Sequence, residues 1–234
     1  MKMLSDKHSL SKTNAIQSDF DKLALLDADG WNHNNQYHPY LLKQIPPTCK
    51  QALEIGCGMG SFSRLLSQKA DRVLALDLSP EMIKSAKQRS AEYSNIEYQV
   101  ADVMAWDFPK EGFECIVSIA TLHHLPFESF LQRMKSGLKT NGILMVLDLY
   151  QPEGIRDLML NLLAVPTHLI LKLKNTGRLR EPREVQEAWA EHGKRDTYLP
   201  VSRARGICND LLPGAVIKKH LLWRYSIVWQ KPRE

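Results

Sequence analysis

The stretch Ala52-Leu53-Glu54-Ile55-Gly56-Cys57-Gly58-Met59-Gly60-Ser61-Phe62-Ser63 decides the fold. A short apolar run ends in three alternating glycines, and a helical pattern follows, which reads as strand, tight loop and helix start. Gly56 and Gly58 carry no Cβ, so the backbone can turn sharply there and a ligand can approach it closely. The helix start beyond them offers free N–H groups and the positive end of a dipole. Glu54 stands at the carboxyl end of the expected strand, where a carboxylate opposes a phosphate and suits a cation. A dinucleotide fingerprint needs G-x-G-x-x-G/A. Counted from Gly56 the sixth position is Ser61, and counted from Gly58 it is Ser63, so this loop departs from that pattern.

Outward from the loop, Ser61 to Lys69 reads as a helix with Phe62, Leu65 and Leu66 on one face. Arg72 to Leu76 is a near-continuous apolar run, as in a strand buried on both faces of a parallel sheet. It ends in Asp77, seventeen residues past Gly60, where an acid can accept hydrogen bonds from a ribose. Ser79, Pro80 and Glu81 are an N-cap, a first-turn proline and a first-turn acid, opening a helix expected to run to about Tyr93. Ile96 to Val100 is the third strand. Asp102-Val103 follows it, an acid beside an apolar residue, suited to an exocyclic amine on a flat ring. Glu54, Asp77 and Asp102 thus end three successive strands, the edge at which open α/β sheets bind ligands. Phe113 to Ile119 is the fourth strand, and Ala120-Thr121-Leu122-His123-His124-Leu125-Pro126 continues it at the same edge. A helix over Phe130 to Leu138, a turn at Lys139 to Gly142 and a fifth strand over Ile143 to Leu149, with Asp148 near its tip, follow. Ala215 to Leu221 and Arg224 to Trp229, linked by Leu222-Trp223, read as an antiparallel pair.

The flanks differ in character. Residues 1 to about 18 are polar and read as a tail or loosely docked arm, with a short amphipathic helix at Asp19 to Leu26. Trp31 to Tyr40 is aromatic, amide-rich and uncharged. It reads either as a site lining or as a helix whose Trp31 and Tyr37 pack on the domain. Gln151 to about Pro200 breaks the strand–helix rhythm. Within it Ile155 to Leu173 is strongly apolar, yet the uncharged part, Leu158 to Leu171, is only fourteen residues. A membrane span needs about 20, so no span is expected; a lid helix over the site is the preferred reading and an interfacial, membrane-touching helix the alternative. Charged Arg178 to Asp196 and then Ser202 to Leu212 are helical in pattern.

The chain has 234 residues, 44% hydrophobic and 24% charged, with a net charge of +5. Lys and Arg are spread along it, so solvated helix faces account for the basic balance better than a nucleic-acid surface. Cys49, Cys57, Cys115 and Cys208 form no C-x-x-C pair, match no zinc spacing and predict free thiols; no metal is expected. With no secretory pattern near the start, the expected location is cytoplasmic.

The pattern E-x-G-x-G-x-G at Glu54 to Gly60 resembles motif I of the class I S-adenosylmethionine (SAM)-dependent methyltransferases. The resemblance covers Gln51 to Tyr150 strongly and Ala215 to Pro232 moderately. It implies an α/β fold: a Rossmann-like, seven-stranded, mostly parallel sheet with a C-terminal antiparallel strand pair and helices on both faces. The implied division is an N-terminal tail and cap helices over 1–45, a SAM-binding core over 46–150, a helical insertion or lid over 151–213, and a closing strand pair over 214–234. The implied cofactor is SAM. Glu54, Gly56, Cys57, Gly58 and Gly60 belong to its methionine-binding loop, Asp77 and Leu78 lie at the ribose, Asp102 and Val103 hold and cover the adenine, and Ala120 lies at the same strand edge. Leu122-His123-His124-Leu125-Pro126 is similar to the loop found in many small-molecule methyltransferases, and Trp31 to Tyr40 to N-terminal segments that close over the cofactor. An Asn/Asp-Pro-Pro-Tyr motif of base and amide N-methylation is replaced by Ala-Thr-Leu-His-His, which argues against base N-methylation and leaves RNA oxygen or carbon targets open; a small-molecule acceptor is the expectation and nucleic acid the lesser reading. Methyl transfer is an in-line displacement at an already activated sulfonium, so binding and orientation suffice and no catalytic dyad is required. His123 and His124 are the candidate general bases; otherwise one serves the loop's hydrogen bonds and the other faces solvent. His33, Tyr37 and His38 are poorer candidates. Two other readings stand beside this one: a nicotinamide-dependent oxidoreductase, and a non-catalytic partner protein with a methyltransferase fold.

Overall fold

The computed structural model describes residues 2–26 and 30–233, with side chains from residue 11 onward. Met1 and Glu234, the two ends of the outer segments proposed from sequence, lie outside the described residues. In chain order the elements are α1 (Lys2–Leu25), a 3₁₀ turn (Asn35–Tyr37), α2 (His38–Leu42), β1 (Cys49–Ile55), α3 (Ser61–Leu66), β2 (Ala70–Asp77), α4 (Pro80–Arg89), β3 (Ile96–Val100) and β4 (Phe113–Ile119). A second 3₁₀ turn (Leu122–His124), α5 (Phe127–Gly137), β5 (Leu138–Leu149), α6 (Gly154–Thr176), α7 (Arg183–Gly193), α8 (Val201–Leu211), β6 (Val216–His220) and β7 (Arg224–Gln230) complete the chain.

The seven strands form one sheet in the order β3-β2-β1-β4-β5-β7-β6. The first five run parallel, and β7 pairs antiparallel with both β5 and β6. The chain winds outward from β1 to β3 and returns to β4 on the other side of β1. That reversal opens a crevice at the carboxyl ends of β1 and β4. Side chains alternate across the sheet. Leu53, Ile55, Ile116, Leu144 and Val146 join α5 and α8 residues such as Phe130 and Ala204 in one core cluster. Ala52, Cys115, Val117, Met145 and Leu147 join Leu41, Phe62, Leu66 and Ile83 from α2, α3 and α4 in another. Both faces are covered, which is why the parallel strands read as continuous apolar runs.

Several boundaries differ from the sequence reading. Residues expected as a polar tail form one helix with the short amphipathic segment. No Gly or Pro interrupts residues 2 to 25, so the helix propagates outward from its packed end, where Phe20, Leu23 and Ala24 meet Met59, Met82 and Ala188. α4 stops at Arg89 rather than near Tyr93, and Ser90 instead hydrogen-bonds the Tyr98 hydroxyl at 2.8 Å. The expected turn at Lys139 to Gly142 is an irregular stretch inside β5, with Asn141 at φ 61° and a register shift opposite Phe113 and Cys115. α6 extends the expected apolar stretch to 23 residues with a mean hydropathy of 1.2, long and apolar enough by length and composition to cross a membrane. All four cysteines are free and buried.

Candidate active site

The glycine loop closes the crevice from below. Gly56 and Cys57 donate to the Leu76 carbonyl at 2.8 and 3.0 Å, tying the loop to β2. Gly56, Gly58 and Gly60 take φ values of 72°, 52° and 76°, the left-handed region that glycine tolerates. A Cβ on Gly56 would lie 2.0 Å from the Thr121 hydroxyl oxygen, and one on Gly60 2.3 Å from that of Tyr98. Gly58 would meet nothing within 4 Å. Two glycines therefore admit protein neighbours, and the middle one fronts open space. Cys57 between them is buried, and burial pushes its thiol well above the usual range.

The three acids behave differently. Asp77 accepts the Gly58 N–H on one oxygen at 2.8 Å and the Ser79 N–H on the other at 2.9 Å. Burial raises its pKa and these backbone donors oppose the rise. Each oxygen keeps a lone pair for a hydroxyl donor, and half-buried Leu78 follows directly. Glu54 is buried and accepts from the Ser63 hydroxyl. Burial pushes its carboxyl from 4.5 to about 8, only partly offset by Ser63. Asp102 is exposed just past β3 and accepts the Met104 N–H at 2.9 Å. Val103 packs into the core with Leu53 and Leu76, and Met104 is the exposed apolar neighbour. An open glycine cradle, an acid with free lone pairs and a buried carboxyl that favours a cation fit the amino-acid and ribose parts of SAM.

Across the crevice, β4 is followed by Ala120, a non-glycine residue at φ 51°, whose N–H donates to the Leu147 carbonyl at 2.7 Å. The 3₁₀ turn that follows carries His123 and His124 into a buried polar cluster. His123 Nδ1 lies 2.7 Å from Asp148 Oδ1 at the tip of β5. Its Nε2 lies 3.9 Å from Asp196 Oδ2, and His124 Nδ1 lies 3.5 Å from Asp196 Oδ1. His192 Nε2 approaches the same carboxylate at 3.7 Å, and the Tyr198 hydroxyl donates to it at 2.7 Å. Burial lowers the His124 pKa to about 2, so His124 is neutral, and its Nε2 is buried without a hydrogen-bond partner. His124 is thus not directed at solvent. Among the described residues, His123, His124 and Asp196 are the one group placed to hold a metal ion, with ligand atoms within 4.8 Å of one another.

Two further elements enclose the site. Phe20 of α1 stacks edge-on against His192 at 4.8 Å and His124 at 5.9 Å, and Asp19 accepts from Arg195 at 2.5 Å. Asp21 reaches Ser79 and so fastens α1 to the start of α4. The Trp31–Tyr40 segment straps across the β6–β7 turn. Tyr37 donates to the Leu221 carbonyl, Asn34 accepts from Arg224 at 2.6 Å, and His33 Nε2 lies 2.7 Å from His168 Nδ1 of α6. His38 packs against Phe62 at 5.0 Å. His33, Tyr37 and His38 therefore fix the strap rather than join the His123 cluster. Arg224 is buried, which lowers its pKa to about 10, so it stays cationic beside Asp148. Asp196, Tyr198, His192, Phe20 and Arg224 were not singled out from sequence. They come from separate elements, and no local spacing marks them.

Comparison with known proteins gives a consistent picture. A family described as methyltransferase domain matches residues 52–142. An uncharacterised methyltransferase of Mycobacterium tuberculosis is 27% identical over 205 residues, 86% of this chain and 98% of the relative. A ubiquinone biosynthesis O-methyltransferase of Xanthomonas axonopodis is 29% identical over 60% of this chain and 63% of its own length. The N-methyltransferase NodS of Bradyrhizobium japonicum, solved with S-adenosylhomocysteine, superposes with a TM-score of 0.63 at 16% identity, over 95% of this chain and 99% of that one.

Proposed function

We propose that the chain is a class I SAM-dependent methyltransferase with SAM as methyl donor, as the methyltransferase-domain match and the neighbour solved with S-adenosylhomocysteine support, and that its acceptor is a small molecule methylated on a hydroxyl oxygen. SAM, when bound, supplies an electrophilic methyl group that needs no further activation. The observation that carries the reading is the His123–Asp148 pair at 2.7 Å. Asp148 orients the His123 ring through Nδ1, which leaves Nε2, 3.9 Å from Asp196 Oδ2, as the nitrogen for proton transfer. An imidazole so oriented takes a proton from an acceptor hydroxyl as the oxygen attacks. Arg224 balances the buried carboxylate of Asp148. α1, through Phe20 on His124, and the strap, through Asn34 on Arg224, pack against this side of the crevice. Gly56, Gly58, Gly60 and Glu54 would hold the methionine part, Asp77 the ribose hydroxyls and Asp102 the adenine amine. The O-methyltransferase relative supports an oxygen acceptor.

The test is methyl transfer from SAM to a panel of hydroxylated aromatic and aliphatic acids, with formation of S-adenosylhomocysteine as readout. Asp148→Asn and His123→Gln should each lower kcat by about 10²–10⁴ while S-adenosylhomocysteine binds as in the wild type. Wild-type turnover in His123→Gln would refute the assignment of the base. A second reading has its own observation, the three ligand atoms of His123, His124 and Asp196. A divalent cation there would polarise the acceptor oxygen. Loss of turnover on dialysis against a chelator, with recovery on adding zinc or magnesium, would favour it over the metal-free base.

A further inference from the structure

Helix α6 is built inside out. Its polar positions face the protein: Asp157 pairs with Lys219 at 2.7 Å, His168 meets His33, and Lys172 pairs with Glu181 at 3.0 Å. Ala164, on the same face, is fully buried. The opposite face carries Ile155, Met159, Leu162, Leu163, Ile170 and Leu173, each 51–75% exposed. A surface helix of a globular protein normally shows the reverse arrangement. A contiguous apolar patch of this kind marks a docking face.

Length and charge identify what covers it. The uncharged run from Leu158 to Leu171 is fourteen residues, about 21 Å of helix against the roughly 30 Å of a bilayer core. Because its polar face is already paired to the protein, α6 cannot be surrounded by lipid. It can lie in the plane of an interface. Arg156 stands exposed at one end, and Lys174, Arg178, Arg180 and Arg183 stand exposed at or just beyond the other. An apolar stripe bracketed by cations, whose stems can reach outward while the heads stay wet, suits an anionic lipid surface. A second copy of the chain fits worse, since a two-fold contact along α6 sets one cationic end against another.

We propose that α6 seats the protein on an anionic membrane surface, lying in its plane with the Leu162–Leu163–Ile170 face in the acyl boundary. The inference stands on α6 alone and survives if the acceptor assignment fails. The test is flotation of the full chain with vesicles of phosphatidylcholine, with and without phosphatidylglycerol. The wild type should float with the anionic vesicles and detach as salt is added. The triple variant Leu162→Ser/Leu163→Ser/Ile170→Ser, which alters exposed positions only, should bind them about tenfold more weakly or worse and still bind S-adenosylhomocysteine. Arg178→Glu/Arg180→Glu should weaken binding to anionic vesicles alone. Failure of the wild type to float with either vesicle overturns the proposal. A wild-type dimer in sedimentation that the triple serine variant converts to monomer, without vesicle binding, also overturns it and assigns the face to a second copy.

Discussion

Replacing Glu54 with glutamine removes an ionisation that the fold resists. The carboxyl is buried against Ser63, and burial raises its pKa from 4.5 to about 8. A raised pKa in the folded state means stability that is fully present below pH 4.5 and lost as pH rises through 8. One pKa unit is worth about 1.4 kcal/mol, so the wild-type fold gives up about 5 kcal/mol across that window. Glutamine keeps an acceptor for the Ser63 hydroxyl and has no proton to lose. Glu54→Gln should therefore match the wild type near pH 4 and exceed its stability by about 5 kcal/mol at pH 9. Denaturant unfolding of both proteins without SAM, across pH 4 to 9, measures the difference. The same group gives a second readout. At pH 7 roughly nine in ten Glu54 carboxyls hold their proton, and an incoming cationic amino group should expel it. Calorimetry of S-adenosylhomocysteine in buffers of different ionisation heat should show close to one proton released by the wild type and none by Glu54→Gln. Parallel stability curves for the two proteins, differing by less than about 1 kcal/mol in their pH dependence, would refute the reasoning.

Gly56→Ala should destabilise the fold by about 3 kcal/mol, because φ is 72° and the new Cβ would lie 2.0 Å from the Thr121 hydroxyl oxygen; an unchanged denaturation midpoint would contradict the packing. Gly58→Ala, with open space in place of that oxygen, should cost the fold only about 1 kcal/mol for its backbone conformation and should weaken S-adenosylhomocysteine binding instead, and equal fold costs for the two variants would count against the cradle. Phe20→Ala should speed cofactor release by loosening α1 from His192 and His124 without changing the unfolding free energy by more than about 2 kcal/mol; stopped-flow displacement reads it.

The sheet was legible because buried parallel strands announce themselves. The runs at Arg72 to Leu76 and Phe113 to Ile119 are apolar on both faces, and glycine or acid follows the apolar run of the first three strands. The strand pair at the end was legible from its two-residue link, where Leu222 and Trp223 take φ values of 60° and 58°. Histidines 123 and 124 were legible by their place after β4. Their partners were not. Asp196 and Tyr198 lie beyond α7, His192 at its end and Arg224 on β7, and only the fold brings His192 and Tyr198 to the Asp196 carboxylate and Arg224 beside Asp148. α1 hid for a different reason: its polar outer turns carry no apolar stripe, and its packed end is short. α6 showed its composition but not its orientation, because periodicity gives two faces without saying which one meets the protein.

The most direct test of the account is calorimetric titration of the wild type and Asp77→Ala with S-adenosylhomocysteine, with NADH as control. The account predicts saturable binding of S-adenosylhomocysteine to the wild type, its loss in Asp77→Ala, and no heat with NADH. Equal binding to both proteins would contradict the role given to Asp77. No binding to the wild type would contradict the glycine loop and its acids as a SAM site.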